Sequence, residues 1–386
     1  MSKYNKYKSW LLSVIFTASP GIIKAITFTL LFWILNNNDY ANFTVIYSNS
    51  IVIGLVGGVG VGTIIIKNRI GLNKMPIYLI MSFFISTPVF LYFIILGEKI
   101  YLDFFLISLG VLFNQVSRFY IISRSAFVYG GRFEILNLVL TAILLLFFPH
   151  YFPSTIFFVY SLNVIFIFKM KDGHKVNTCC SIKDDMISAT TIGYTSLISS
   201  GIIFMLPSIT SSWGDDDLVS SLGLILGVIG IISVIPRSIL NNKLKIINES
   251  LKYKKEIDFN KEVLFVKKAT NKIILPSVLL LIIYILIQTK SFNMYVIYFL
   301  VSISFFVYVG QYSLVESNAI NFIGKEKLSL LSNIFIFFIF FVISQIVQCY
   351  MDNGFIGMTF LCLSCAFLYY VRMLFFKKLI NRYMML

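Results

Sequence analysis

Runs of about twenty apolar residues recur along the whole of this sequence. A helix that crosses the hydrocarbon core of a bilayer needs roughly 20 mostly apolar residues. Of the 386 residues, 58% are hydrophobic and only 13% are charged, and the mean hydropathy is +0.87. A soluble domain carries roughly a quarter charged residues. We therefore expect an all-α, polytopic membrane protein.

The apolar runs predict about twelve transmembrane helices, joined by short loops on one side of the membrane. In chain order these helices are 10–35, 40–66, 76–96, 104–122, 133–148, 154–168, 187–209, 218–236, 273–288, 294–315, 328–350 and 355–376. Helix ends are the least certain part of such a prediction.

Lysine and arginine accumulate on one side of these helices. With the N-terminus placed in the cytoplasm, 29 of the 32 basic residues are cytoplasmic, Arg118 and Arg372 among them, and only Lys99 and Lys290 lie outside. Cytoplasmic loops are enriched in lysine and arginine. The bias predicts a multi-pass protein of the cytoplasmic (inner) membrane with both termini inside. It also explains the net charge of +15 without nucleic acid as a partner.

The longest polar loop, Arg237 to Lys272, is predicted to be cytoplasmic. Within it, Leu240, Leu244, Ile247 and Leu251 follow one another at steps of four, three and four residues, with lysines between them. This spacing fits an amphipathic helix lying on the inner leaflet. A solvated basic linker is the alternative.

Small residues suggest that the chain repeats after six helices. The second helix contains Gly54, Gly58 and Gly62 at steps of four, and the eighth contains Gly223 and Gly227. Such glycines let two helices approach closely in lipid. An offset of six helices predicts two parallel bundles related by a pseudo-two-fold axis along the membrane normal. The predicted domains are an N-terminal six-helix bundle at 1–168, a basic cytoplasmic linker at 169–186 and a C-terminal six-helix bundle at 187–386.

Polar residues form one stripe on the first predicted helix, which is otherwise apolar. The stripe consists of Ser13, Thr17, Pro20, Gly21, Lys24 and Thr27. Steps of three and four residues place them on one helical face, and Pro20 with Gly21 predicts a kink. We expect this face to line a cavity, because lipid would not accommodate it.

Lys24 is the most informative member of the stripe. A charge in the membrane costs on the order of 2.5–3.5 kcal/mol on insertion scales, so it is rarely retained without a use. Lys24 is too far from both helix ends to reach an interface easily, and no acidic residue is predicted at mid-span; Glu316 comes closest. We favour a cavity cation that binds an anionic substrate over a lysine that snorkels.

Further candidates for substrate binding are weaker. Arg118 is compatible with a cavity-lining face of the fourth helix, and equally with the first cytoplasmic arginine after it. Hydroxyl and tyrosine side chains suit sugar recognition, although they also stabilise helix–helix contacts. The remaining candidates, beside Thr17 and Thr27, are Gln115, Thr195, Tyr308 and Gln311.

Motifs of catalysis are missing from the sequence. It contains no Gly-x4-Gly-Lys-Ser/Thr loop, its five cysteines show no zinc-type spacing, and its two histidines have no plausible catalytic partners. We expect no catalytic residues, no cofactor and no metal site.

Architecture and several stretches together resemble a known group of transporters. The stretches are Ser19-Pro-Gly-Ile-Ile-Lys24, Leu30-Leu-Phe-Trp-Ile-Leu35, Asp39-Tyr40 and Thr63-Ile-Ile-Ile-Lys67-Asn68 after the glycine-rich run. With two sets of six helices and a cationic first helix, the chain resembles polysaccharide transporters of the multidrug/oligosaccharidyl-lipid/polysaccharide (MOP) exporter superfamily. Within it, the chain is most similar to the Wzx-type O-antigen flippases.

The resemblance implies a function in lipopolysaccharide or polysaccharide biosynthesis. Such flippases move undecaprenyl-diphosphate-linked repeat units from the inner to the outer leaflet through a cationic cavity. Lys24, and less directly Arg118, carry over as cavity cations. The implied partners are a polyprenyl-diphosphate-linked glycan, membrane lipids and other polysaccharide-assembly membrane proteins.

Two other functions stay open. A polysaccharide polymerase, a membrane glycosyltransferase, has a similar number of helices, but it is expected to carry a large outer loop, which this chain lacks. A cation-coupled multidrug exporter of the same superfamily needs a mid-span carboxylate to bind H⁺ or Na⁺, and the predicted helices contain none.

Overall fold

The computed structural model describes seven stretches of the chain. They are residues 3–68, 70–95, 101–124, 126–170, 181–289, 293–351 and 353–385. Most of the predicted linker at 169–186, with His174, Cys179 and Cys180, lies outside the described residues, as do Lys99 and Lys290.

Helices account for nearly all of the described chain. In order they are α1 (Lys3–Ile34), α2 (Asn37–Ile53), α3 (Gly60–Asn68), α4 (Met75–Ile95), α5 (Tyr101–Ser123), α6 (Phe127–Phe147), α7 (Phe152–Phe168), α8 (Ile182–Ser200), α9 (Ile202–Ser211), α10 (Asp216–Lys252), α11 (Glu256–Thr289), α12 (Met294–Tyr312), α13 (Leu314–Phe322), α14 (Glu326–Tyr350) and α15 (Gly354–Met385). A π-helical segment, Gly54–Val59, joins α2 to α3. Short 3₁₀ turns precede α4 and α7.

The helices are long and apolar enough to cross a membrane many times. Within the described stretches eleven spans meet this criterion, and a twelfth results if α8 and α9, which are bent by 60°, form one broken span. The described stretches contain no strand. The prediction of an all-α, polytopic protein with about twelve membrane helices is confirmed.

The first compact unit, Met1–Ser212, contains α1 to α9. Glycines permit its closest helix contacts: Gly131 of α6 lies against the Leu12 carbonyl of α1, and Gly60 of α3 lies against the Ala189 carbonyl of α8. A side chain on either glycine would separate the helices. The structure thus groups α8 and α9 with the helices before them, whereas the sequence placed 187–209 at the start of the C-terminal bundle. The division into equal bundles stays a prediction.

The second compact unit, Trp213–Leu386, contains α10 to α15. Three of its helices are much longer than a bilayer requires: α10 has 37 residues, α11 has 34 and α15 has 32. At a rise of 1.5 Å per residue they measure about 48–56 Å, against a hydrocarbon core of about 30 Å. Their surplus turns form a helical extension, which we define as residues 237–272 together with 373–385.

The extension has a protein core of its own. Leu240, Ile247 and Leu251 of α10 are buried in one hydrophobic cluster with Phe376 and Ile380 of α15. The amphipathic pattern of this loop was therefore recognised correctly, but its placement on the inner leaflet is wrong. The apolar face packs against protein, and α10 continues without a break from its span into the extension.

The orientation of the chain can be tested by cysteine labelling. We expect a membrane-impermeant maleimide to label Asp216→Cys, at the start of α10, in intact cells, and to label Tyr253→Cys only after permeabilisation. Both positions are exposed, and the background replaces the five native cysteines by serine. Labelling of Tyr253→Cys but not of Asp216→Cys in intact cells would invert the predicted topology.

Candidate functional site

Lys24 lies in the middle of the candidate span Val14–Ile34 of α1 and is half-buried. Its Nζ atom is 4.7 Å from the centroid of the Phe204 ring on α9. An ammonium over an aromatic face is stabilised by about 0.5–2 kcal/mol, more when water is excluded. The contact holds the Lys24 charge against α9, at a depth where the hydrocarbon provides no stabilisation.

The other members of the α1 stripe occupy different environments. Gly21 and Thr27 are buried, Pro20 is half-buried and Thr17 is exposed. The hydroxyl of Thr27, one turn after Lys24, accepts and donates no hydrogen bond among the described residues. The structure thus places a buried, unsatisfied hydroxyl one turn from Lys24. Ser13 lies in α1, with its side chain outside the described set.

Arg118 on α5 is buried inside the first unit. Its guanidinium pairs with Glu134 of α6, donates to Ser19 Oγ at 3.0 Å and to the Phe16 carbonyl at 2.6 Å, and lies 4.4 Å from the centroid of the Phe16 ring. The sequence counted Arg118 among the cytoplasmic charges, and the structure instead holds it between α1, α5 and α6. A direct contact of Arg118 with substrate stays a prediction.

Glu134 is a membrane carboxylate that the sequence analysis missed. The predicted fifth helix began at residue 133, whereas α6 begins at Phe127, so Glu134 lies two turns inside the helix. Its side chain is 2% exposed. The overlooked signal was Gly130-Gly131, which precedes the predicted start of the helix and marks the close contact of α6 with α1. The prediction that no acidic residue lies at mid-span is therefore wrong, because Glu134 is the eighth of the 21 residues of α6.

Asparagines continue this polar core through the first unit. Asn137 donates to Asn163 and Asn163 donates to Asn114, both at 2.9 Å, so that α6, α7 and α5 are linked in a chain. Two acceptor atoms three residues apart on α6, Glu134 Oε2 and Asn137 Oδ1, are buried and accept no hydrogen bond from the described residues. Such atoms carry negative charge density that a proton or a cation would satisfy.

The glycine stripe of the second span packs against α5. A Cβ atom on Gly54 would meet Val111, one on Gly58 would meet Gln115 Cβ at 2.5 Å, and one on Gly62 would meet Phe119. The three partners follow one another at steps of four residues on α5, so the two helices touch along three turns. Gln115, a predicted substrate ligand, is half-buried over Gly58.

Replacing Gly58 by leucine is expected to destabilise the first unit by about 1–3 kcal/mol, the usual range for overpacking. Leucine remains apolar, so membrane insertion should be unaffected. Gly310→Leu is the matched control, since no atom lies within 4 Å of a Cβ built at that helical position. Thermal unfolding of the purified variants checks the expectation. Equal stability of the two variants would show that the Gly58 contact with α5 does not restrict the packing.

The remaining predicted residues are distributed over both units. Thr195 on α8 donates to the Thr191 carbonyl of its own helix at 2.8 Å. In the second unit the Tyr308 hydroxyl donates to Asn271 at 3.1 Å, its ring stacks on Tyr312 at 5.6 Å, and Gln311 has a buried Oε1 atom without a described partner. Gly223 and Gly227 are buried in α10.

Sequence reasoning missed two further cations in the second unit, the half-buried Lys267 and the buried Arg372. Lys267 of α11 pairs with Glu316 of α13 and lies 4.4 Å from the centroid of the Tyr312 ring. Arg372 of α15 is buried and donates to Asn333 of α14. Both were counted as cytoplasmic charges: Lys267 comes before the predicted span 273–288, and Arg372 lies near the end of the predicted span 355–376.

Comparison with solved structures identifies the fold. A MOP superfamily transporter from Pyrococcus furiosus matches over 97% of this chain and 96% of its own, with a TM-score of 0.56 and 15% identity. An outward-facing multidrug resistance MATE family transporter of the MOP superfamily matches over 96% of both chains, with a TM-score of 0.56 and 13% identity. The chain has the fold of MOP superfamily transporters.

The other comparisons do not assign the chain to a family within the MOP superfamily. A MATE transporter solved in complex with MaL6 aligns over 99% of both chains, with a TM-score of 0.55 and 14% identity. The Pyrococcus furiosus protein is described as having a binding pocket of reversed polarity, which suggests a different function for it. No protein-family profile and no curated protein matches this sequence.

Proposed function

We propose that this protein is a flippase of the cytoplasmic membrane. Its substrate would be a polyprenyl-diphosphate-linked oligosaccharide unit, which it would move from the inner to the outer leaflet. The MOP fold supports a membrane transporter, and the proteins matched in fold are described as transporters, which favours transport over the polymerase alternative. The fold does not identify what is transported, so we infer the substrate class from the charged side chains within the membrane.

Lys24 is the observation that carries the proposal. It places a positive charge within the first span, half-buried and held 4.7 Å from an aromatic ring. An aromatic ring stabilises an ammonium without neutralising it. A positive charge held at this depth would attract an anionic headgroup.

The diphosphate group explains why such a charge would be retained. A diphosphate and a glycan must be shielded from hydrocarbon while the prenyl tail remains in the lipid. With the cell interior negative, each negative charge that moves outward gains up to about 2.3 kcal/mol per 100 mV. Outward movement of the anionic lipid would run with the membrane potential, so Lys24 needs to bind the headgroup only transiently.

A deletion strain tests the proposed function. We expect lipid-linked glycan to accumulate in the inner leaflet, where added periplasmic glycosidases cannot reach it until the membrane is permeabilised, and surface glycan to disappear. Re-expression of the parent chain should restore both. Accumulation in the outer leaflet would instead indicate a defect in polymerisation and would contradict the flippase.

Cation-coupled export of an organic compound is the second candidate, and Glu134 favours it. The expected objection to this function was the lack of a mid-span carboxylate, and Glu134 removes that objection. Its Oε2 atom and Asn137 Oδ1 are buried acceptors without described partners. Accumulation of ethidium in the deletion strain, with normal surface glycan, would select this candidate over the flippase.

A further inference from the structure

Arg372 is a buried guanidinium at the junction between the α15 span and the helical extension. It is 7% exposed, although Lys377 and Lys378 follow it by little more than a turn and are exposed. Five residues correspond to about 7.5 Å along a helix. Arg372 thus lies near the level of the headgroups on the side that the lysines mark, with its side chain directed into the second unit.

Three neighbours hold the Arg372 side chain. Its Nη1 atom donates to Asn333 Oδ1, and its guanidinium carbon lies 4.4 Å from the centroid of the Tyr369 ring and 5.8 Å from that of Phe376. Tyr369 and Phe376 come from the turns before and after Arg372, at the spacing that places them on the same face. The two rings thus flank the guanidinium, and the neutral amide of Asn333 accepts a hydrogen bond from one of its N–H groups.

No described carboxylate balances the charge of Arg372. Two other cations of the described chain each have one: the buried Arg118 pairs with Glu134, and the half-buried Lys267 pairs with Glu316. Arg372 Nε is buried and donates to nothing in the described part of the chain. A buried charge without a counter-charge is costly, and so is an unsatisfied buried donor.

We propose that Arg372 and Asn333 form a binding site for the phosphate oxygens of an anionic lipid headgroup. The proposal rests on the proposed flippase function and gives the second unit a phosphate contact of its own. A guanidinium presents several N–H groups in one plane, which matches the oxygens of a phosphate. The flanking rings fix that plane, and Nε–H is one of the guanidinium donors that the described residues leave for a ligand.

Binding of farnesyl diphosphate to the purified full-length protein tests the site. We expect the parent and the control Lys377→Met, which removes an exposed cation from the same helix, to bind equally. Arg372→Met should bind about ten- to hundredfold more weakly, the loss expected for a charge-assisted hydrogen bond. The affinity of Arg372→Lys should lie between those of the parent and Arg372→Met, since lysine keeps the charge but lacks the planar set of N–H donors.

The source of the phosphate is distinguished by three further probes. Inorganic diphosphate tests the anion without a tail, farnesol tests the tail without the anion, and nanodiscs of phosphatidylcholine with or without phosphatidylglycerol test an ordinary anionic lipid. For a prenyl-diphosphate site, only farnesyl diphosphate should bind the parent much more tightly than Arg372→Met. Discrimination by phosphatidylglycerol nanodiscs alone would assign the site to bulk lipid and overturn its part in transport.

Thermal unfolding without ligand separates a binding role from a structural one. Since Arg372 has no counter-charge, Arg372→Met should melt no lower than the parent, and farnesyl diphosphate should stabilise the parent but not the variant. A lower melting temperature together with unchanged affinity would mean that Arg372 is a structural cation. If Arg372→Met binds farnesyl diphosphate as tightly as the parent does, and the parent chain restores surface glycan, the Arg372 site is refuted while the flippase function is not. Failure of the parent chain to restore glycan refutes the flippase itself.

Discussion

Replacing Lys24 by alanine is expected to reduce glycan export about ten- to hundredfold while the protein remains inserted in the membrane. The estimate follows from losing one charge-assisted contact of about 1.5–3 kcal/mol with the headgroup. Membrane insertion should become easier, because the cost of a charged side chain within the bilayer disappears. The measurement is surface glycan in the deletion strain, at protein levels matched by quantitative blotting.

Companion variants separate charge from shape at this position. Lys24→Arg should keep substantial export, Lys24→Gln should behave like alanine, and Lys24→Glu should be the most defective, because it repels a diphosphate. Phe204→Leu keeps the charge and removes the ring that positions it, so export should fall only severalfold. Parental export by a well-expressed Lys24→Ala protein would show that Lys24 does not bind the headgroup, and Arg118 would become the next candidate.

The second large effect is expected from breaking the buried pair of Arg118 and Glu134. Arg118→Met leaves Glu134 as an uncompensated charge that is 2% exposed, and removing one partner of a buried pair typically costs about 3–5 kcal/mol. It also removes the hydrogen bonds to Ser19 and to the Phe16 carbonyl. Thermal unfolding in detergent should therefore show a strongly destabilised protein.

A double-mutant cycle makes this expectation specific. The double variant Arg118→Met/Glu134→Leu removes both charges, so it should recover much of the stability lost in Arg118→Met. Arg118→Lys should be intermediate, because lysine keeps the charge but cannot contact α1 and α6 at once. Additive losses in the double variant would show that the two side chains do not stabilise one another, and the assignment of a buried ion pair would be wrong.

Hydropathy and the positions of basic residues were enough to predict the fold class. Each span is an apolar run of bilayer length, and this property is local to the sequence. Burial of charges is not local. Glu134 is the second residue of the predicted span 133–148 and so did not count as mid-span, and only the packing of α6 against α1 and α5 shows that the carboxylate has a partner.

In the second unit, too, the sequence pattern does not show which residues pack against one another. The spacing of Leu240, Ile247 and Leu251 predicts one apolar face but cannot identify what covers it; the inner leaflet was predicted, with a solvated linker as the alternative. In the structure α15 covers this face. Arg372, near the end of the predicted span 355–376, was counted with the cytoplasmic charges, and only the positions of Asn333 and Tyr369 reveal that its side chain points inward.

The core of the helical extension has a consequence for biosynthesis. Ile247 of α10 and Phe259 of α11 are made well before Phe376 and Ile380 of α15, yet all four belong to one cluster. Until α15 has been synthesised, the hairpin of α10 and α11 must expose an apolar face to water. During this time chaperones can bind the hairpin and proteases can cleave it. A chain interrupted before Phe376 would keep the face exposed, so cellular quality control could recognise an incomplete transporter without sensing its membrane-embedded part.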